Sequence, residues 1–332
     1  MKTRQFGKTD LLVSEVGFGA WAIGGPSMAG TIPIGWGPVD DTVSIKALEK
    51  AADLGINFYD TADIYGFGHS ENLLGQAFGN RDEILIATKV GQKREADGNI
   101  KWDHTKAYIL AACEASLRRL KRDAIDFYQF HVARLTQLEQ GECIEAMELL
   151  QKQGKIRYWG ISLNTFDPEP EAEFMFKHQL GAGFQLVFNI FNQHALSIIE
   201  KAHQENYGII ARMPLQFGLL TGKFTRETKF STDDHRHIRL TPEVLQMAIH
   251  FLEEDIWPLK DKYHIPATTF SLSFILSFPE ISTVIPGIKT PEQALQNTHQ
   301  LIQLDAEDIE LLIQLYHQKF YKLVSLMEKA VK

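Results

Sequence analysis

The sequence predicts an α/β fold, a (β/α)8 TIM barrel with an N-terminal β-hairpin and an extra C-terminal helix. Three observations predict it. Short strand-like runs, apolar on both faces, alternate with helical patterns along the chain, as a buried parallel sheet requires. The alternation yields eight strand–helix units. Several strand-like runs also deliver a polar or Gly residue where they end: Asp60 with Tyr65 nearby, Lys89, His131, Ser162 and Gly287. In a parallel barrel all strand C-termini meet at one mouth, so such residues converge. An open doubly wound sheet shares the alternation, and the motifs at the strand ends decide for the closed form.

The elements follow in order. RQFGKTDLLVSEVGFG offers a hairpin turning around Gly7–Asp10, then a first barrel strand at 15–18. Apolar residues at 43, 45, 47/48, 51/52 and 54 give a helical period over 41–54, and Gly55 stops it. INFYD is the second strand. Helix 70–78, strand 84–88, helix 104–120, strand 125–130, helix 137–152 and strand 156–161 come next. Helix 168–178, strand 184–189, helix 194–206, strand 208–212, helices 242–262 and 266–277, strand 281–285 and helix 291–300 complete the ring. A terminal helix covers about 305–329. Segments 24–40, 91–103 and 213–241 exceed ordinary loop length and each follows a strand, so they should rim the mouth.

Composition bounds the function. The chain has 332 residues, long for an average domain but ordinary for one barrel, and no linker-like stretch divides it, so 1–332 reads as one domain. It is 44% hydrophobic and 23% charged, close to the globular norm. A net charge of −8 with scattered Lys and Arg argues against nucleic acid as a partner. Cys113 and Cys143 lack metal or redox spacing. No signal-like start and no membrane-length apolar run appear, so a soluble cytoplasmic protein with no membrane partner is expected. Nothing in the sequence sets an oligomeric state.

NFYDTADIYG followed by SENLLGQAF, IATK and QFH resemble the most specific motifs of the aldo-keto reductase family. The resemblance extends from about Gly17 to Asn297. Carried over position by position, it implies a catalytic tetrad of Asp60, Tyr65, Lys89 and His131. Carbonyl reduction needs a hydride on carbon and a proton on oxygen. Tyr65 would give the proton, but a free phenol near pKa 10 holds it tightly. Lys89 should lower that pKa, Asp60 should keep Lys89 charged and oriented, and His131 should orient the carbonyl. Taken singly, each has a structural alternative: a turn cap, a turn aromatic, a rim charge, a core histidine. Their joint arrival in family order favours catalysis.

No protein group supplies hydride, so the mechanism implies a nicotinamide. Gly17-Phe18-Gly19-Ala20-Trp21-Ala22 fits the dinucleotide fingerprint, but IGGPSMAGTIPIGWGP cannot form the helix that fingerprint needs. By the resemblance, Gly19 and Trp21 line the cofactor and substrate, while Ser162 and Gln185 hold the carboxamide. The family commonly has Asn directly after the Ser; here Asn164 is displaced by Leu163. ARMPLQFGLLTGKF, with Pro214, resembles the pyrophosphate loop, its backbone N–H groups around Leu215, Gly218 and Leu219 facing the phosphates. Arg212 stands where an aromatic commonly stacks on the nicotinamide, and a guanidinium can stack too. Thr290-Pro291-Glu292 is a good helix start. Gly287, Lys289, Gln293 and Asn297 would address the adenosine end. Lys289 is the cation left there, so NADPH is favoured and NADH is possible.

A small-molecule carbonyl substrate would be walled by Trp21, Trp36, Trp102 and His131 beside Tyr65. Asp233, Asp234, His235 and His237 invite a metal, but Arg236 and Arg239 would repel a cation, and no metal site is expected. The reading is an NAD(P)H-dependent oxidoreductase reducing aldehydes or ketones. The alternative is a slow-turnover nucleotide-binding regulatory subunit on the same fold.

Overall fold

Eight parallel strands form one ring in chain order: Phe18–Gly19, Phe58–Asp60, Leu85–Val90, Ile125–His131, Ile156–Ser162, Gly183–Val187, Gly208–Arg212 and Thr283–Ile285. Parallel bridges Val16–Val284 and Gly19–Gly287 join the last strand to the first, so the sheet is closed and the open alternative fails. The computed structural model describes residues 1–232 and 234–330. Each strand is followed by at least one helix on the outer face. A buried parallel ring needs both faces covered, and its strands are accordingly almost wholly buried. Among the described residues no helix is long and apolar enough to cross a membrane.

Local chemistry sets the helix ends. Asp40 Oδ1 accepts the Val43 N–H at 3.1 Å, capping Asp41–Asp53, and Gly55 ends that helix at φ 87°. Thr290 caps Pro291–Thr298 as the sequence suggested, its hydroxyl accepting from Gln293 N at 3.3 Å. Several spans differ from expectation. The first strand lies at Phe18–Gly19 rather than 15–18. The sixth stops at Val187, because Asn189 Oδ1 accepts from Phe191 N and Asn192 N and turns the chain. Segment 137–152 is two helices, Leu135–Gln140 and Glu142–Lys152, divided by left-handed Gly141. Helix 242–262 contains a π-turn at Leu252–Ile256, just before Pro258, which lacks a backbone donor. The C-terminal helix has another at Tyr316–Phe320.

The hairpin Thr3–Gln5/Leu12–Ser14 plugs the end of the ring opposite the mouth. Its Phe6 is fully buried among Phe58, Phe127 and Ile210, and stacks edge-on with Phe127 at 4.9 Å. Gly183 and Gly208 make room for it: a Cβ on either would fall within 2.7 Å of the Phe6 ring. The long loops carry structure of their own. Met28–Ala29/Ile32–Pro33 and Gln92–Arg94/Ile100–Trp102 are hairpins, and 213–241 contains a 3-10 segment Gln216–Thr221 and the short helix Arg236–Arg239.

Candidate active site

Strand register brings the tetrad together. Asp60 ends the second strand, Lys89 sits one residue before the end of the third, and His131 ends the fourth. Lys89 pairs across the sheet with Gln129, and His131 with Ser162. The Lys89 ammonium is fully buried and donates to Asp60 Oδ2 at 2.6 Å, Thr61 O at 2.7 Å and Tyr65 Oη at 3.2 Å. Its three donors are thereby satisfied. The other Asp60 oxygen accepts from Gln185 Nε2 at 2.6 Å and Gln129 Nε2 at 3.2 Å. Gln129 is the member that sequence reading missed. Its signal was an amide inside an apolar strand, a feature it shares with Gln185.

Burial works against the charge on Lys89, but the fields of Asp60 and Tyr65 outweigh it and raise its pKa. Tyr65 departs from expectation. Burial pushes its phenol above the ordinary value, and the opposing pull of Lys89 is the smaller effect, in part because Asp60 cancels that cation. The phenol is therefore held protonated. Burial, then the Lys89 and Arg212 charges, push His131 well below its ordinary value, so its imidazole is neutral.

These groups open onto a cavity of about 620 Å³. Gly19, Trp21, Trp36, Ser162, Gln185, Arg212, Pro214, Leu215, Gly218, Gly287, Lys289 and Gln293 line it with Asp60, Tyr65 and His131. Trp21 stacks on Tyr65 at 6.0 Å and meets Trp36 edge-on at 5.3 Å. Lys89 lies behind Tyr65 and Asp60 rather than in the wall, and four residues expected to touch cofactor or substrate are not in it either. Trp102 is exposed on its hairpin, stacked on His104. Asn164 turns its Oδ1 to Phe166 N and Asp167 N, a local turn that its displacement by Leu163 permits. Leu219 is packed in the apolar core and Asn297 is buried in its helix. The Gly218 N–H, expected to face phosphate, donates to Leu215 O at 2.8 Å instead.

The described side chains of the acidic histidine-rich stretch make contacts within the protein. Arg236 pairs with Asp234, His237 approaches Phe230 O, and His235 Nδ1 lies 3.2 Å from Pro33 O with its ring against Trp21. Asp233 lies outside the described residues. Arg236 also covers Trp36, 5.3 Å from the ring centre, and Lys289 Nζ donates to Trp36 O at 2.6 Å. Segments 24–40 and 213–241 thus clasp across the mouth.

The wall carries an unusual charge for an acidic protein. Arg212, Lys223, Arg236, Arg239 and Lys289 line the cavity, and among the described residues Asp60 is the one carboxylate there. Trp36 Nε1, His131 Nδ1, Arg212 Nε and Arg239 Nε are buried without a protein partner. Such atoms are costly unless a ligand or water satisfies them. A cationic, hydrogen-bonding cavity beside a buried phenol fits a phosphate-bearing dinucleotide.

Fold and site together define the class, a barrel NAD(P)H-dependent oxidoreductase. The chain belongs to the Aldo/keto reductase family, whose sequence model matches residues 15–317. It is 32% identical over 327 residues to the Bacillus subtilis protein named uncharacterized oxidoreductase YqkF, covering 97% of this chain and 99% of that one. It is 30% identical over 329 residues to the NADH-specific methylglyoxal reductase of Escherichia coli, covering 94% and 97%. An aldo/keto reductase from Klebsiella pneumoniae solved in complex with NADP and acetate superposes with a TM-score of 0.69 at 26% identity, over 95% of each chain.

Proposed function

We propose that this protein reduces an aldehyde or ketone to an alcohol with NADPH, and that Tyr65 donates the proton. The contact carrying the reading is Lys89 Nζ at 3.2 Å from Tyr65 Oη, with its charge balanced by Asp60 at 2.6 Å. When bound, the reduced nicotinamide supplies a hydride and its ring becomes a cation. Tyr65 would pass its proton to the oxygen of the carbonyl that receives the hydride, and solvent would later reprotonate the tyrosinate. Lys89 stabilises the phenolate as it forms. Neutral His131 donates a hydrogen bond to the carbonyl oxygen and orients it, and Trp21 and Trp36 exclude water around it.

Ser162 and Gln185 would hold the carboxamide, Gln185 through its oxygen because its Nε2 is committed to Asp60. Arg212 would lie at the ring, Pro214, Leu215 and Gly218 near the phosphates, and Gly287, Lys289 and Gln293 at the adenosine. Lys289 and Arg236 favour the extra phosphate of NADPH. The NADH-specific relative in Escherichia coli keeps NADH as a second candidate. The same reading takes the chain as one cytoplasmic domain acting on a small carbonyl compound. Absorbance at 340 nm, followed with NADPH and then NADH on a panel of aldehydes and ketones, tests it. Steady oxidation supports the reading. Tight binding with no turnover across the panel overturns it in favour of the regulatory alternative.

A further inference from the structure

Arg212 occupies the end of the seventh strand and lines the cavity with Tyr65, His131 and Gln185. One terminal nitrogen is fixed by Leu163 O and Thr165 Oγ1, both at 3.1 Å, and the other lies 3.2 Å from Met213 Sδ. Every one of these partners is neutral. The Nε is buried with no partner, and among the described residues no carboxylate pairs with the guanidinium. The contrast with Lys89 is sharp. The Lys89 charge is cancelled in contact by Asp60, whereas the Arg212 charge has no carboxylate in contact and feels Asp60 only at a distance. Burial, opposed by the fields of Tyr65 and Asp60 and aided by the neighbouring Arg239, brings its pKa down to about 10, which leaves it charged at neutral pH. Its field acts on both Tyr65 and His131.

We propose that Arg212 is a specificity-determining residue that makes the site bind reduced nicotinamide in preference to oxidised nicotinamide. The inference rests on the proposed reduction. The carbon that gives up hydride must stand against the carbonyl that Tyr65 protonates, which puts the ring within reach of the Arg212 charge. That ring is neutral when reduced and carries one positive charge when oxidised. The phosphates carry the same charge in both forms. Contacts to phosphate from Lys223, Arg236, Arg239 or Lys289 therefore cancel in the ratio of the two affinities, and the ring's charge remains.

In a water-poor cavity, repulsion between two unit charges several ångströms apart corresponds to a discrimination of about 10- to 100-fold. By linkage, a tenfold preference for the reduced form raises the bound two-electron potential by about 30 mV. The oxidised product then leaves more readily, and the enzyme works preferentially as a reductase.

Titration calorimetry with NADPH and NADP+, and separately with NADH and NAD+, reads the inference without any turnover. The wild-type protein should bind each reduced form about tenfold or more tighter than its oxidised partner. Arg212→Gln, which keeps a donor for Leu163 O, should bring that ratio down by about tenfold or more for both pairs. Arg212→Lys, which keeps the charge, should retain most of it. Equal weakening of both forms in Arg212→Gln would reduce Arg212 to a general binding contact and overturn the inference. So would a wild-type protein that binds NADP+ as tightly as NADPH, a result needing no variant. Failure of the wild-type protein to bind any of the four nucleotides would instead remove the underlying reading of the site, and this inference with it.

Discussion

The Lys89 ammonium and the Asp60 carboxylate form a buried contact of 2.6 Å, and a third group, the Tyr65 hydroxyl, shares the ammonium at 3.2 Å. Neither member of the pair has solvent to fall back on. Breaking such a pair by removing one partner strands a charge, which costs about 3–5 kcal/mol. Lys89→Met should lower stability by about that amount in denaturant titrations, in addition to abolishing reduction. Lys89→Met combined with Asp60→Asn should recover much of the stability and none of the activity. If the single variant unfolds at the wild-type midpoint, the pair is not the buried unit described.

Tyr65→Phe removes only the hydroxyl. Reduction should fall by about 10²- to 10⁴-fold, the usual contribution of a positioned general acid. Nucleotide affinity should stay within about twofold, since the ring still stacks on Trp21. Steady-state rates and calorimetric titration separate the two, and retained turnover would remove the proton-donor assignment.

The pH dependence of reduction follows from two opposite shifts. Tyr65 must be protonated to donate, and its pKa is raised above the ordinary 10.0. His131 must be neutral for the hydrogen bond proposed, and its pKa lies well below the ordinary 6.5. Both groups are therefore in the required state throughout that interval. The kcat/KM for reduction should be flat from about pH 6.5 to 10, falling only as Tyr65 loses its proton at higher pH. Alcohol oxidation needs the tyrosinate and should rise with pH over the same range. A reduction profile that declines between pH 7 and 9 would mean that Lys89 outweighs burial at Tyr65.

At the far end of the barrel, Gly208→Ala places a methyl group 2.6 Å from the Phe6 ring. The aromatic plug must shift, at a cost of about 1–3 kcal/mol for overpacking. Thermal unfolding should move down by a few degrees, roughly 1–2 °C per kcal/mol for a chain of 332 residues. The tetrad lies at the opposite end, so kcat should be unchanged below the transition; a loss of kcat would show that the plug and mouth are coupled.

The motifs placed Asp60, Lys89 and His131 at or beside strand ends, with Tyr65 in the turn after the second strand, because a strand's apolar run and its stop signals are local. The NFYD, IATK and QFH runs each end at or within one residue of the end of a buried strand, and the parallel ring aligns those ends. Helix boundaries were legible for the same reason at Asp40, Gly55 and Thr290, whose capping bonds span three or four residues. The long loops were harder. Asn164 and Trp102 look like ligand-facing residues in one dimension, yet one is spent on its own backbone turn and the other lies outside the cavity wall.

By itself the sequence determined the order of elements, the strands that end in chemistry and the residue types available there. Hydrogen bonds within a few residues and apolar periodicity carry that information. Only the tertiary structure decided that Gln129 and Gln185 share one Asp60 oxygen, and that Lys289 reaches Trp36 across the mouth. It also decided that Tyr65 is raised rather than lowered. Burial and the cancellation of one charge by another depend on groups 24 to 125 residues apart in the chain brought within contact, and no local pattern records how deep they lie.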